Sequence, residues 1–463
     1  MLQRAREFLA LLLIGLLPFH ALVLTVITRV LRGPGHAPIA SLAAWKEAVL
    51  AIILIVALIE MLQGGWRAAK KIDWIDGLIL GLLVLSLLVT ATVHPFSLTS
   101  FFYGFKYDFI ALIAFLLLRR VPWSEDFRRF AVWLLLACGA IVAAYGIVTF
   151  FLPDRFFTWL GYSDQHSLYL PNQAIAAFQQ ISGSGIRRIQ STFSGPNQFG
   201  LWLLLPWAIS LTLALRSFLA RRGASPKIIA VIALCAAAMF LSFSRSAWLA
   251  AFAVLLLVLL QSLPRRSFAM LFLGLLGVGI LVFALAVLWD PTVFFRLSSN
   301  RGHLERPLMA MHLMLEHPFG LGLGSAGPAS NHLHEACVFL LPHDDPSWAK
   351  STPSLCVFVG NTQVQPAGHA CSCAFLAENW YLQIGVELGI LGFALYLSLI
   401  VLLVGALRRA AAASSAMPIF SRAVLYAFIG VCIAGFFLHA WEDAAVAYAF
   451  WMLAGVVLSP ALL

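Results

Sequence analysis

Charge is what this chain lacks. Only 11% of its 463 residues are Asp, Glu, Lys or Arg, while 62% are apolar. Soluble domains carry about 25% charged and about 50% apolar residues. A chain this apolar must bury most of itself in lipid. In hydrocarbon every backbone polar group must be satisfied within the protein, so the choice is helices or a closed barrel. Alternating strands of roughly ten residues are missing, which argues against a barrel. The apolar stretches are near-continuous runs of roughly 20 residues, the length of a spanning helix. Other absences exclude functions. No Gly-Lys-Ser/Thr follows a glycine-rich run, so there is no P-loop. No CxxC pair and no HExxH spacing is present, so no zinc motif is recognisable. No basic stretch with interleaved aromatics forms a separate domain, which argues against a nucleic-acid partner. The opening "MLQRAREFLALLLIGLLPFHALVLTVI" has the basic start of a signal peptide. Its apolar run is too long, and no small-residue cleavage site follows, so it reads as a first span.

The predicted fold is an all-α polytopic membrane protein of about twelve transmembrane helices. The spans are expected at Phe8–Val30, Trp45–Leu62, Ile75–Val93, Phe105–Leu118, Phe130–Leu152, Gln198–Leu215, Ile228–Phe243, Ala247–Leu263, Phe268–Leu288, Trp380–Leu407, Val424–His439 and Ala444–Leu462. Residues 1–289 then hold nine helices and residues 380–463 the last three. Residues 290–379 form one large extracytoplasmic loop between helices nine and ten. An even number of spans puts both termini on one side. Of the 30 Lys and Arg, 18 fall in one set of short loops, among them Arg4, Arg6, Arg119, Arg120, Arg128, Arg129, Arg265, Arg266, Arg408 and Arg409. Basic short loops stay in the cytoplasm, so both termini are expected there. The net charge of +10 mostly reflects this bias.

Two outer segments stand out, Pro153–Asn197 and the long loop that ends at Asn379. Loops of that length are usually functional or disordered. The long one contains Trp, Phe, Leu and Cys, so a small folded element with short helices is expected, for instance across Glu305–Glu316. Cys138, Cys235 and Cys432 lie in spans and read as small apolar residues. Cys337, Cys356, Cys371 and Cys373 all lie in the long loop, where an even number of cysteines outside the cytoplasm points to disulfides. Cys371 and Cys373 are too close to pair with each other. Either Cys337 joins Cys371 and Cys356 joins Cys373, or Cys337 joins Cys373 and Cys356 joins Cys371.

Several residues suggest chemistry. "GIRRIQSTFSGPNQFG" places Arg187 and Arg188 just before span six, and "LSFSRSAW" places Arg245 in a very short outer turn. An arginine near an apolar core is costly, and its fork of donors suits phosphate. Arg188 and Arg245 either converge on a lipid-linked pyrophosphate or snorkel to outer-leaflet headgroups. "EHPFGLGLGSAGPASN" could fold as an anion-binding nest of backbone N–H groups or as a tight turn at the membrane surface. In "AENWYLQIGVELGILG", Glu378 meets the start of span ten, beside the interfacial aromatics Trp380 and Tyr381. It is a candidate general base, or else an acid paired to an arginine. Gly385, Gly389 and Gly392 around the deeper Glu387 imply close helix packing. His332, His334, His343 and His369 with Asp344 and Asp345 crowd the long loop, but disulfides with surface histidines explain them better than a metal does.

Taken together, these segments resemble the O-antigen ligase and O-antigen polymerase family of bacterial envelope glycosyltransferases. The resemblance rests on Arg188 before Pro196, Asn197 and Gly200. It rests also on Ser244–Arg245, on His317–Pro318 before Gly322 and Gly324, and on Glu378, Tyr381, Leu382, Glu387, Gly389 and Gly392. It covers roughly Arg188 to Leu407. It implies a glycan donor on undecaprenyl pyrophosphate and a lipid or glycan acceptor whose hydroxyl attacks the anomeric carbon, with no metal or other cofactor. Arg188 and Arg245 would bind the pyrophosphate and stabilise the leaving charge. Glu378 stands where the ligases carry a histidine proposed as the base, which also leaves a polymerase open. Arg187, Asn197, Arg301, Arg306, Gly322, Gly324 and Tyr381 are the implied substrate-binding positions. In the family an arginine is often found near the position of His303; here Arg301 and Arg306 flank it. A peptidoglycan-type membrane glycosyltransferase fits the motifs less well. A lipid-linked glycan flippase would call for mid-span charges and an internal repeat, and neither is evident.

Overall fold

The computed structural model describes the chain except for residues 64–71, 93–96, 165–173, 177–178, 182–184, 290–296, 341, 343–344, 354, 415–417 and 461–463. Some side chains within 265–289 and 297–301, and that of residue 351, are also outside the description. The helices in order are α1 Leu2–Leu16, α2 His20–Arg32, α3 Ala40–Ala43, α4 Trp45–Gln63, α5 Trp74–Thr92, α6 Leu98–Leu118, α7 Glu125–Phe151 and α8 Asp154–Leu160. They continue as α9 Pro196–Trp202, α10 Leu204–Leu219, α11 Pro226–Leu241, α12 Arg245–Ser262, α13 Arg265–Trp289, α14 Leu297–Glu316 and α15 Gly327–Ser330. Three more close the chain: α16 Trp380–Ala413, α17 Pro418–Ala434 and α18 Ala444–Val457.

Among the described residues, eight helices or contiguous helix pairs are long and apolar enough to cross a membrane. They are Leu2–Arg32, Ala40–Gln63, Trp74–Thr92, Leu98–Leu118, Glu125–Phe151, Pro196–Leu219, Arg245–Ser262 and Trp380–Ala413. Helices α11, α17 and α18 are apolar but shorter. The expected ninth span falls within α13. This is the architecture of a multi-pass membrane protein. Phe8, Phe130, Phe151 and Val401 stand exposed on the surface of the bundle. Lipid is the solvent that such a surface fits.

The centre of the bundle is the pair α17 and α18. Every residue of α18 from Ala445 to Val457 is buried. Helix α17 packs against α10, α12 and α16, and α18 against α6 and α9. Gly430 lets α17 approach α12 closely, since a Cβ there would lie 2.9 Å from Val254 Cγ2. Small residues at such crossings give helices in lipid the van der Waals contact that holds them together.

One end of the bundle is tied by buried charges. Arg6 pairs with Glu60 at 3.0 Å, donates to Pro122 O at 2.7 Å and lies over the Trp123 ring. Arg119 pairs with Asp73 and, at 3.1 Å, with Asp76, which also meets Arg120 at 2.7 Å. A buried charge is tolerated only with such partners.

Helix α16 is broken inside. Gly389 has φ 71° and ψ −172°, outside the helical region. The break admits the His317–Gly324 turn: Ile390 N–H donates to Pro318 O at 3.0 Å, and a Cβ on Gly389 would sit 2.1 Å from that same oxygen. The conspicuous glycine of this helix therefore serves a chain crossing against a turn, rather than helix-on-helix packing alone.

The region after α14 corrects the all-α expectation. It contains a three-stranded sheet, β3 Cys337–Leu340, β4 Cys356–Val359 and β5 Thr362–Gln365, in the order β3-β4-β5. The first pair is parallel and the second antiparallel. Disulfides join Cys337 to Cys373 and Cys356 to Cys371, which selects one of the two pairings the sequence left open. The expected helix at Glu305–Glu316 is the second half of the longer α14, which runs through Pro307.

Candidate functional site

The two neighbouring arginines are separated by a strand. Gln179–Gln180 (β1) pairs antiparallel with Arg187–Arg188 (β2). Successive strand residues point to opposite faces, so the two side chains part. Arg187 turns to the end of α7, donating to Thr149 O at 2.7 Å and to Asp154 Oδ1 at 2.7 Å, with its guanidinium over the Phe157 ring. It neutralises carbonyls that a helix C-terminus leaves unpaired. These contacts point Arg187 away from the face that Arg188 takes.

Arg188 turns the other way. It donates to Ser242 O at 3.1 Å, to Gln179 Oε1 at 3.0 Å and to Asn197 Oδ1 at 2.9 Å. These contacts fix the plane of the guanidinium. Asn197, near the start of α9, thus orients the arginine as well as lining the cavity. Arg245 is the first residue of α12, after Phe243 at φ 48° and the buried Ser244. The start of an 18-residue helix adds partial positive charge to that of the arginine.

Arg188, Asn197, Ser244, Arg245 and His303 line one cavity of about 380 Å³, closed on its apolar side by Leu249, Leu304, Phe437 and Leu438. Two cations from strands and helices far apart in sequence meet beside an apolar wall. Such a place suits an anion that carries a lipid tail.

Glu378 stands behind His303 rather than in the lining. Its Oε1 accepts from Arg306 Nη1 at 2.9 Å, and its Oε2 lies 3.7 Å from His303 Nδ1. Its backbone is held at φ 51°, and its N–H donates to His439 Nε2 at 3.3 Å. Since Nε2 accepts, the ring proton is on Nδ1 and is donated to Gln383 Oε1 at 2.7 Å. Burial lowers the pKa of His439 to about 4, so this ring stays neutral. Burial also lowers that of His303, with Glu378 pulling it up and Arg245, Arg306 and Arg188 pushing it down. The carboxylate is therefore paired to an arginine, the second of the two roles its position suggested.

The glycine turn has a different task from the one its N–H groups suggested. Gly322 N–H donates to the Glu387 carbonyl at 3.0 Å, and Gly324 N–H to the Glu387 carboxylate at 3.0 Å. Ala326 N–H reaches the same carboxylate oxygen at 3.3 Å. The acceptor in this nest is the chain's own Glu387 carboxyl group, fully buried in α16. The N–H groups of Gly322 and Gly324 thus anchor the turn to α16. Tyr381 is likewise buried, with its hydroxyl donating to Cys432 O at 2.7 Å, among helices α16 and α17. The Arg301 side chain lies outside the described residues. Arg306 reaches the site through Glu378.

The histidines of the long segment disperse. His332 stacks on Tyr103 at 3.8 Å between ring centroids. His334 meets Ser372, and His369 meets Glu335 at 2.8 Å. His343 and Asp344 lie outside the described residues. Glu335, Cys356, His369 and Cys371 lie within 4.8 Å of one another. The two sulfurs there are bonded to each other, which removes the thiolates a metal would need.

A second cavity of about 210 Å³ lies across the Ser194–Gln198 turn. Lys46, Glu47, Lys106, Tyr107, Trp441 and Glu442 are among its lining. Gln198 Nε2 donates to Glu442 at 2.5 Å, and Ser194 Oγ to Asp443 at 3.0 Å. Burial raises the pKa of Glu442 to about 8. No local sequence pattern marks this cluster, because Gln198 and Glu442 stand 244 positions apart.

The fold and cavity define a multi-pass membrane protein with a cationic pocket between helix ends. Residues 230–343 match the family described as O-antigen ligase, a glycosyltransferase-like class of enzyme. The matched stretch includes Arg245, His303, Arg306 and the glycine turn, and it supports the O-antigen ligase family for this chain. No curated protein matches the chain.

Proposed function

We propose that this protein transfers a glycan from an undecaprenyl-pyrophosphate carrier to an acceptor hydroxyl at the outer face of the bacterial inner membrane. The observation that carries the reading is the cavity in which Arg188 and Arg245 meet beside an apolar wall. The acceptor oxygen attacks the anomeric carbon and the lipid pyrophosphate departs. Charge grows on the departing phosphate oxygens, where fixed guanidinium donors favour the transition state over the ground state. Two arginines supply this without a metal, and chelators are expected to leave the rate unchanged.

The orientation follows from the charge bias. The Arg6, Arg119 and Arg120 end faces the cytoplasm with both termini, and the cavity with the disulfide-bonded segment 290–379 faces outward. Reporter fusions at the C-terminus and within 360–370 test it; a cytoplasmic signal from the second would overturn it. For the reaction, the assay is the purified protein with an undecaprenyl-pyrophosphate glycan and acceptor. Release of undecaprenyl pyrophosphate with glycan transfer is expected. Transbilayer movement of the donor without cleavage would replace the enzyme with a flippase.

A further inference from the structure

We propose that His303, not Glu378, takes the acceptor proton, and that Glu378 is the positioning residue that orients His303. The inference rests on the glycan-transfer reading and names the base within it.

Three observations carry it. First, His303 lines the cavity with Arg188 and Arg245, while Glu378 is not among the described lining residues. Second, both carboxylate oxygens of Glu378 face protein groups. Oε1 holds Arg306 at 2.9 Å and Oε2 faces His303 Nδ1 at 3.7 Å. Third, the ring approaches Glu378 by Nδ1, so Nε2 is the nitrogen that can take the proton. This is the relation of a base to its orienting carboxylate: the acid fixes the tautomer and stabilises the imidazolium once it forms. The 3.7 Å gap is longer than a hydrogen bond, as catalytic contacts often are before substrate closes the site.

The charges around His303 are set for the role. Arg188, Arg245 and Arg306 face it from β2, α12 and α14, Glu378 from the start of α16, and His439 from the end of α17. Burial first, and the arginines after it, disfavour the charged ring, while Glu378 favours it.

The step balances. The acceptor O–H proton passes to Nε2 as the oxygen forms its bond to the anomeric carbon. The bond from that carbon to the phosphate oxygen breaks, and its electron pair leaves with the lipid pyrophosphate against Arg188 and Arg245. Glu378 faces the imidazolium through Nδ1. The proton then returns from Nε2 to water.

Glu378 is itself held from behind. Its N–H is bonded to the buried His439, and Arg306 fixes its carboxylate. A positive φ of 51° at a non-glycine residue persists only where surrounding structure determines it. The carboxylate is therefore a fixed reference against which the ring is aligned.

The test uses the full-length protein in lipid nanodiscs with an undecaprenyl-pyrophosphate glycan and acceptor. It compares wild type, His303→Ala, His303→Gln and Glu378→Gln from pH 5.5 to 9. In wild type the rate should fall on the acid side as the ring protonates. Both His303 variants should lose roughly 100- to 10,000-fold in kcat, the usual worth of a general base. They should bind donor nearly as well as wild type, and the acid limb should vanish. Glu378→Gln should keep much more activity. Its acid limb should move to lower pH, because removing the negative charge lowers the ring's proton affinity. A purely structural role for Glu378 would not move that limb. Added imidazole should restore part of the rate to His303→Ala. If either His303 variant keeps the wild-type rate and pH limb, or if Glu378→Gln abolishes the limb, His303 is not the base. If wild type releases no undecaprenyl pyrophosphate, the glycan-transfer reading fails instead.

Discussion

Arg188→Ala is the most informative single change outside the base. The contacts of Arg188 include Ser242 O, Gln179 and Asn197, and these hold its plane toward the cavity. Losing one preorganised donor to a developing oxyanion costs about 2.7–4 kcal/mol, or about 100- to 1,000-fold in kcat. Arg245→Ala should cost a similar amount. The double variant should lose less than the product of the two, since both side chains serve one leaving group and their effects are coupled. Arg188→Lys should recover little, because an ammonium cannot make the forked contact or hold Asn197 and Ser242 O together. The assay is initial release of undecaprenyl pyrophosphate, with donor affinity measured separately. Membrane expression and the thermal melt in detergent control for folding. If either alanine variant retains near wild-type kcat/KM, that arginine only contacts headgroups and the pyrophosphate assignment collapses.

Other outcomes follow from the scaffold. Gly389→Ala should lower the melting temperature sharply, since its backbone at φ 71° and ψ −172° costs about 1–3 kcal/mol for a residue with a Cβ and that Cβ would meet Pro318 O; an unchanged melt would mean the crossing is not as close. Glu387→Ala leaves the N–H groups of Gly324 and Ala326 without their acceptor, at about 1–3 kcal/mol each. The melt should fall while limited proteolysis opens the glycine turn, and equal protease resistance would contradict it. Breaking the Cys356–Cys371 bond by a double Ser substitution should cost the outer segment about 3 kcal/mol, given its sequence separation of 15; identical mobility of reduced and non-reduced wild-type protein would show the bonds are not formed. Glu442 has a folded pKa raised to about 8, above its ordinary value of 4.5. The folded state then holds the proton more tightly, so its contribution is fully present below about 4.5 and lost as pH rises through about 8. Thermal stability should decline across that window in wild type and decline less in Glu442→Gln; parallel profiles would remove Glu442 as the cause.

Some of the site was readable because its signals are local. Arg245 in a short turn and Glu378 at a helix mouth are both unusual for their surroundings, and Arg188 precedes Pro196 and Asn197 within one short stretch. Arg187 and Arg188 could not be told apart from sequence, because only the pairing of Gln179 with Arg188 decides which side chain faces which way. His303 is named in the sequence only as a neighbour of Arg301 and Arg306. Its approach to Glu378 joins two elements that have no common local pattern, as does the Arg306 contact across 72 positions. The Glu442 cluster was missed for the same reason, since its partners Gln198 and Ser194 come from the far side of the chain.

What the sequence determined by itself was the solvent. A chain with so little charge and such long apolar runs must be helical in a membrane, because hydrocarbon allows only helices or a closed barrel and runs of about 20 apolar residues are not barrel strands. It determined too which loops are basic and that four cysteines share one segment. Only the tertiary structure decided what those residues do. It turned one arginine to a helix end and the other to a cavity, chose between two disulfide pairings, and filled the glycine turn with Glu387 rather than a ligand. The reason is physical: composition and period act along the chain, while a binding site is made by side chains converging through space.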